Sequence, residues 1–425
     1  MLRKLGIFER ALFISDEHAP FNVVSVLQLE HPPTPKIMGQ ALSILYKRHP
    51  LMQASIKAGK FERPAASVIS FQAVEQPVEF NCLDIVEQEM NTRLDTTSRL
   101  FRGIYLFNAK NATLILTFHH AIMDAASGMN LLHEWLQFCA EISRSDEVPH
   151  LPNMEVAPAV EKSFPPSFKG LVGSLKVFQY ASLQMRDEIR YQWRVRGKRI
   201  PPVQLGGKGF ALTITLPESL VDKLSKRCRV EKVTFNSLLN AALLLATNRW
   251  LYAGNLTPMR TFSFADLRPY TRPPTSVEQL ANYISMLRFT EEVSGQSRIW
   301  AVTKSLHAKI YHALKHGDKF LAVLMSESLL KMFTKLKSMR MGSAALNYSG
   351  AVPLDSQYGE IKVIGLHAFL SSFDLGPEVS AQARLFKDEL WIDFMFLETD
   401  MNRETAEKIV GEVKDILEGA VTGEG

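Results

Sequence analysis

The residues best able to do chemistry lie together at Phe118-His119-His120-Ala121-Ile122-Met123-Asp124, where a strand-like run gives way to a helix-like one. Side chains alternate along a strand, so two adjacent histidines at its end point to opposite faces. One can anchor the turn while the other faces a cleft. A neutral imidazole held there suits general-base work near pH 7. Asp124 falls in the turn, where a carboxylate folds back onto backbone N–H groups or a cation. It is therefore better placed to fix the loop than to move protons. Spacing alone is weak evidence, because His-His pairs also occur on surfaces and in metal-binding turns. Zinc is not expected, since no third His or Cys stands at a metal-like spacing. Ser127 is not expected to be a nucleophile: no G-x-S-x-G elbow surrounds it, and a serine opening a helix is more simply a cap.

Several elements must position this segment. Residues 21–29 form a β-rich run, and 104–107 and 114–118 read as two short strands joined by the polar turn 108–111. Residues 37–46 have helical spacing through Ile37, Met38, Ala41, Leu42 and Leu45, closed by Pro50. Residues 127–142 repeat that spacing through Leu131, Leu132, Trp135, Leu136, Cys139 and Ile142. Pro149, Pro152, Pro158, Pro165 and Pro166 then mark a connector. A helical segment at 171–196 follows, with Arg186, Arg190, Arg194, Arg196, Lys198 and Arg199 at its end; Pro201 and Pro202 stop it, and Gly206, Gly207 and Gly209 extend the break. Beyond it, 210–216, 261–264, 379–386 and 390–396 read as strands, and 234–250 and 404–417 as helices. The organisation predicted is α/β in two halves: 1–145 carrying the histidines, 146–206 as a crossover with a basic helix, and 207–425. No repeat relates the halves.

Composition sets the outer limits. With 425 residues, 46% hydrophobic and 22% charged, the chain has material for a large core and reads as a soluble globular protein. Gly (23) and Pro (21) are too few for a disordered or collagen-like chain. The longest apolar stretch, 238–246, is interrupted by Asn240 and falls short of the roughly 18–20 residues a spanning helix needs. A net charge of +5 is a poor argument for nucleic acid. Cys82, Cys139 and Cys228 suit neither a metal pattern nor a disulfide framework and read as reduced thiols. The N-terminus has no apolar core segment or cleavage site, so a cytoplasmic location is expected. Two segments set apolar residues beside cations: Phe168, Leu171, Leu175, Phe178 and Tyr180 before the basic end at 196, and Phe320 to Leu336 beside Lys319, Lys331, Lys335, Lys337 and Arg340. A core-facing helix with a solvated basic side is the favoured reading of each. A peripheral membrane contact is the alternative, and the same cations could meet coenzyme A phosphates or an acidic carrier protein.

The motif residues also resemble a family. His119-His120-Ala-Ile-Met-Asp124 is similar to the HHxxxD signature of the CoA-dependent acyltransferase superfamily. That group spans chloramphenicol acetyltransferase-like and plant acyltransferases, wax ester synthase/diacylglycerol acyltransferases, polyketide-associated acyltransferases and peptide-synthetase condensation domains. The run through Ser127-Gly128 into an apolar helix resembles its wax ester and polyketide-associated branch. Further segments resemble that branch in the expected order: Glu9 to Phe13, Asn22-Val23-Val24, Arg48-His49-Pro50, Thr234 to Ala246, Asp266-Leu267-Arg268-Pro269, Asn282-Tyr283-Ile284-Ser285 and Asn347-Tyr348-Ser349-Gly350.

The resemblance implies two chloramphenicol acetyltransferase-like subdomains with an active-site tunnel between them. It implies a transferase of the ester-forming, thioester-dependent type, using acyl-CoA or an acyl carrier protein as co-substrate and no cofactor or metal, within lipid or secondary metabolism. His120, His119 and Asp124 would form the catalytic set: His120 takes the acceptor's proton, His119 orients the loop, and Asp124 is the structural carboxylate with Arg48 as its salt-bridge partner. The alcohol would attack the thioester directly, with no acyl-enzyme. Asn347 and Ser349 are the oxyanion-donor candidates. The alternatives are an amide-forming condensation enzyme and a catalytically silent module of the same fold that docks a carrier protein or lipid. The sequence departs from the family at Ala125, where glycine is usual, and at Gln53, where a second arginine is usual; the plant-type DFGWG is absent, and Asp374-Leu375-Gly376 is only a loose echo of it.

Overall fold

The apolar run Asn22–Glu30 is the centre of a sheet because both of its edges are paired. Asn111–His119 lies antiparallel on one side and Ile361–Leu370 antiparallel on the other, and Val24, Val26, Leu27 and Leu29 are buried. Phe101–Phe107 extends the sheet as the expected hairpin. Its turn is closed by the Asn108 side chain, which accepts the N–H groups of Lys110 and Asn111, each at 2.9 Å. Phe71–Glu75 and Gln357–Tyr358 complete a six-stranded sheet. Helix Pro35–Arg48 starts at Thr34, whose hydroxyl accepts the Ile37 N–H, and packs against helix Ala125–Ser145, where the Trp135 indole donates to the Met38 carbonyl at 3.2 Å.

This computed structural model describes residues 2–64, 69–76, 82–145, 151–196, 203–336 and 339–422. Pro149, Lys198, Arg199, Pro201, Pro202 and Lys337 lie outside them. The chain divides into two compact units: Met1–Ser163, Arg268–Tyr283 and Ala351–Ser371 form the first, and Phe164–Leu267, Ile284–Gly350 and Ser372–Gly425 the second. The division differs from the linear one into 1–145, 146–206 and 207–425. The crossover is shared out between the units, and the C-terminal half returns strands to the first sheet. The physical reason is visible at Asn22–Glu30: without Ile361–Leu370 a long apolar strand would leave an open edge.

The second unit has its own six-stranded sheet, ordered Ile284–Val293, Thr257–Asp266, Gly342–Ala351, Pro377–Phe386, Glu389–Leu397, Gly209–Leu216. Helix Phe235–Leu251, capped by Thr234, is buried from Ser237 to Asn248 and packs against helices Ile299–His316 and Arg403–Thr422. An apolar surface on every side is why its sequence lacks an amphipathic stripe. Helix Gly170–Val195 belongs to this unit and packs on helix Asp318–Leu336. The latter buries Phe320, Leu321, Leu330 and Phe333, so the second apolar-basic segment faces the core. Among the described residues, no helix is long and apolar enough to cross a membrane.

Candidate active site

The strand Asn111–His119 carries the histidine pair to the end of the first sheet, with His119 paired across to Asn22. The chain then tightens into the 3-10 turn His120–Ile122 before helix Ala125–Ser145. His119 is fully buried, and its Nδ1 accepts the Ala121 N–H at 3.1 Å. The ring proton therefore sits on Nε2, 3.9 Å from the Asp16 carboxylate of helix Ile7–His18. Burial, helped by the neighbouring His120, depresses the His119 pKa to about 3 and keeps it neutral. It anchors the turn, with the Phe13 ring 6.2 Å away.

His120 is partly buried and oriented differently. Its Nδ1 lies 2.9 Å from the Met123 carbonyl oxygen, which can only accept, so Nδ1 carries the proton and Nε2 the lone pair. Burial lowers the His120 pKa, outweighing the Met123 hydrogen bond and the Asp124 charge, so the imidazole is neutral at pH 7. The Asn282 amide donates to the His120 carbonyl at 2.9 Å and approaches that of Met123 at 3.4 Å, and the Phe21 ring lies tilted against the imidazole, 5.8 Å between centroids. A fixed, neutral ring with a basic nitrogen is what general-base chemistry requires.

Asp124 is buried and held from several directions. Arg268 grips it bidentately at 2.8 and 3.0 Å, Ser127 donates its N–H and its hydroxyl to Oδ1, both at 3.0 Å, and the Tyr283 N–H donates to Oδ2 at 2.8 Å. Burial pushes this carboxyl upward, but the Arg268 charge and the hydrogen bonds prevail and hold it below its ordinary value. Asp124 thereby caps helix Ala125–Ser145. The cap expected of Ser127 belongs instead to Asp124; Ser127 is buried in the first turn, its single hydroxyl proton shared between Asp124 and the Ala281 carbonyl, which lies 2.9 Å away.

Arg48 is not the partner of Asp124. Its Nε lies 3.3 Å from Glu134, its Nη1 donates to the Pro152 carbonyl at 2.7 Å, and His49 meets the same Glu134 at 2.8 Å. Sitting at the end of helix Pro35–Arg48, it reaches the carboxylate on the helix that packs beside it. The arginine that charge balance demanded at Asp124 is Arg268, 144 residues away in sequence. Within the family-like segments Asp-Leu-Arg-Pro and Asn-Tyr-Ile-Ser, Arg268, Asn282 and Tyr283 are the residues that reach the site. Ala125 is the first residue of its helix and not among the positive-φ residues, so no glycine is needed there. At Gly128 a Cβ would fall 2.8 Å from the Met123 sulfur, so a side chain there would have to move the Met123 thioether in the turn that positions His120. Asn347 and Ser349 lie on strand Gly342–Ala351 of the second unit, where the Asn347 amide donates to Gln382 at 2.9 Å and the Ser349 hydroxyl to the Ala383 carbonyl at 3.3 Å.

Comparison with known proteins bears on the fold. Residues 212–377 match the family model of the phthiocerol/phthiodiolone dimycocerosyl transferase C-terminus. No curated protein matches. Among solved structures, TRI3 trichothecene 15-O-acetyltransferase from Fusarium sporotrichioides superposes with a TM-score of 0.79 at 11% identity, covering 98% of this chain and 94% of its own. Polyketide synthase associated protein 5 from Mycobacterium tuberculosis superposes at 0.71 with 16% identity, covering 100% and 99%. The first condensation domain of the calcium-dependent antibiotic synthetase superposes at 0.69 with 11% identity, covering 99% and 97%. The fold is thus the two-subdomain, mixed α/β one of these solved structures, with a sheet in each subdomain.

Proposed function

We propose that this chain moves an acyl group from a thioester, on coenzyme A or a carrier protein, to an alcohol, with His120 as general base. The observation that supports it most is the tautomer of His120: Nδ1–H is committed to the Met123 carbonyl, so Nε2 is the nitrogen that takes a proton. The alcohol oxygen attacks the thioester carbonyl as its proton passes to Nε2. The resulting oxyanion collapses, the C–S bond breaks, and the imidazolium returns the proton to the departing thiolate. Asp124 works indirectly, by holding the turn. Of the two oxyanion-donor candidates Asn347 is the stronger, since its amide keeps a second N–H while the single hydroxyl proton of Ser349 goes to Ala383.

The test compares His120→Ala with His119→Asn on a panel of acyl thioesters with alcohols and amines. His120→Ala should lose about 10²–10⁴-fold in kcat. His119→Asn retains an acceptor for the Ala121 N–H and should keep most of the turnover. In the wild type the acid limb of kcat/KM should fall below 6.5, the ordinary imidazole value, because the lowered pKa keeps the imidazole in its base form down to a lower pH. Unchanged turnover in His120→Ala removes the general-base assignment. The condensation-domain likeness supports an amine acceptor as the second reading, and the panel separates the two. A silent module would leave every acyl thioester on the panel intact.

A further inference from the structure

We propose that helix Gly170–Val195 is a docking element that lays its outer face on an anionic lipid surface. Its inner face is committed to the second unit: Gly173, Tyr180 and Glu188 are buried, and Glu188 accepts from Arg260 at 2.7 Å. The outer face carries Leu171, Leu175, Phe178, Met185, Ile189 and Trp193 at helical spacing, one stripe along the whole helix. These side chains lie in the open, Leu171 at 91%, Phe178 at 70% and Trp193 at 77% exposure. A row of large apolar residues on a surface marks an interaction site.

Charge complementarity names the occupant. Lys176, Arg186, Arg190 and Arg194 each follow a stripe residue by one position, about 100° around the helix, and so border the stripe on one side. The helix's two carboxylates, Asp187 and Glu188, are both engaged by Arg260. A bilayer accepts both features at once: the apolar side chains enter the acyl boundary, Trp193 sits at the interface, and the cations meet anionic headgroups. A second copy of the chain answers them less well, because self-pairing of the stripe brings the cationic borders of both copies, Arg186 and Arg190 among them, to one seam. Arg194 also lies 3.4 Å from Glu292, an exposed pair that water and salt screen, so Arg186 and Arg190 carry the test.

The full chain is floated with vesicles of phosphatidylcholine alone and of phosphatidylcholine mixed with phosphatidylglycerol. Binding to the anionic vesicles is expected, decreasing with salt. It should weaken by about tenfold or more in Arg186→Glu with Arg190→Glu and in Phe178→Ser with Trp193→Ser. Leu256→Ser, at an exposed apolar residue elsewhere in the second unit, should bind as wild type. All these positions are exposed, so the melting temperatures and turnover of soluble thioesters should stay at the wild-type level, which keeps the proposal independent of the acyl-transfer reading. No flotation with either vesicle, or flotation indifferent to the stripe variants, overturns the proposal. So does a concentration-dependent dimer that the stripe variants abolish while no vesicle is bound, which would give the face to a second copy.

Discussion

Asp124 and Arg268 illustrate how a buried ion pair can serve a reaction it does not enter. Removing one partner of such a pair leaves an uncompensated charge out of water, whereas His120 at the edge of the same turn can be removed with little effect on packing. Asp124→Asn keeps the shape but sets an amide beside the Arg268 donors, so it should destabilise the protein by about 3–5 kcal/mol, read from chemical denaturation. Turnover should fall even where the variant is folded, because the turn that aims His120 loosens. The pH sign follows from the depressed Asp124 pKa: its contribution is present above 3.8, the ordinary value, and is lost as pH falls through the lower folded value. Arg48→Met supplies the contrast. Its partner is Glu134, so it should lower stability while leaving the acid limb of kcat/KM in place. An acid limb that moves in Arg48→Met, or an Asp124→Asn protein as stable as wild type, would assign these arginines the other way round.

Secondary elements are positioned by the same economy of charges. Helix Gly170–Val195 has few apolar residues on its inner side, and Glu188 compensates by receiving Arg260 at 2.7 Å and Arg288 at 3.2 Å. Burial lowers the Arg288 pKa, with Arg260 as a further cause, so the two guanidiniums repel each other across that carboxylate. Glu188→Gln should therefore cost about 3 kcal/mol and make the helix the first segment to lose amide protection in hydrogen exchange. Equal protection in variant and wild type would show that the helix is held by its apolar contacts alone. Elements were legible in the sequence where one rule sufficed: the apolar run 234–250 announced helix Phe235–Leu251, and the polar turn 108–111 announced the hairpin. Strand Ile361–Leu370 was not, because its register shifts between Val363 and Gly365, where a Cβ would collide with the Gln28 side chain, and the shift breaks the period of two. In the site, His119, His120 and Asp124 could be read from adjacency. Arg268 could not, because adjacency says nothing of a partner 144 positions away; the family resemblance implied Arg48, whose carboxylate is Glu134.

Across the molecule, the buried carboxyls oppose one another in their response to pH. Asp124 and Glu134 are held below their ordinary values and lose their contribution in acid. Glu378, on strand Pro377–Phe386, is raised to about 7 by burial despite Arg340, whose guanidinium is engaged bidentately by Asp400 at 2.9 and 2.5 Å. Its Oε1 accepts the Tyr252 hydroxyl at 2.8 Å. For an acid whose folded pKa is raised, the folded state keeps a proton that the unfolded state has released, so stability falls as pH rises from 4.5 to about 7 and is level above. The slope is at most about 1.4 kcal/mol per pH unit. Glu378→Gln keeps an acceptor for Tyr252 and cannot ionise, so its melting temperature relative to wild type should climb across that window. The total gain should be on the order of 3 kcal/mol by pH 8. A difference that is the same at pH 5 and pH 8 would mean that Arg340 keeps Glu378 ionised throughout. The wild-type optimum would then be set by the depressed carboxyls alone, and it would move from the mildly acidic side toward neutrality.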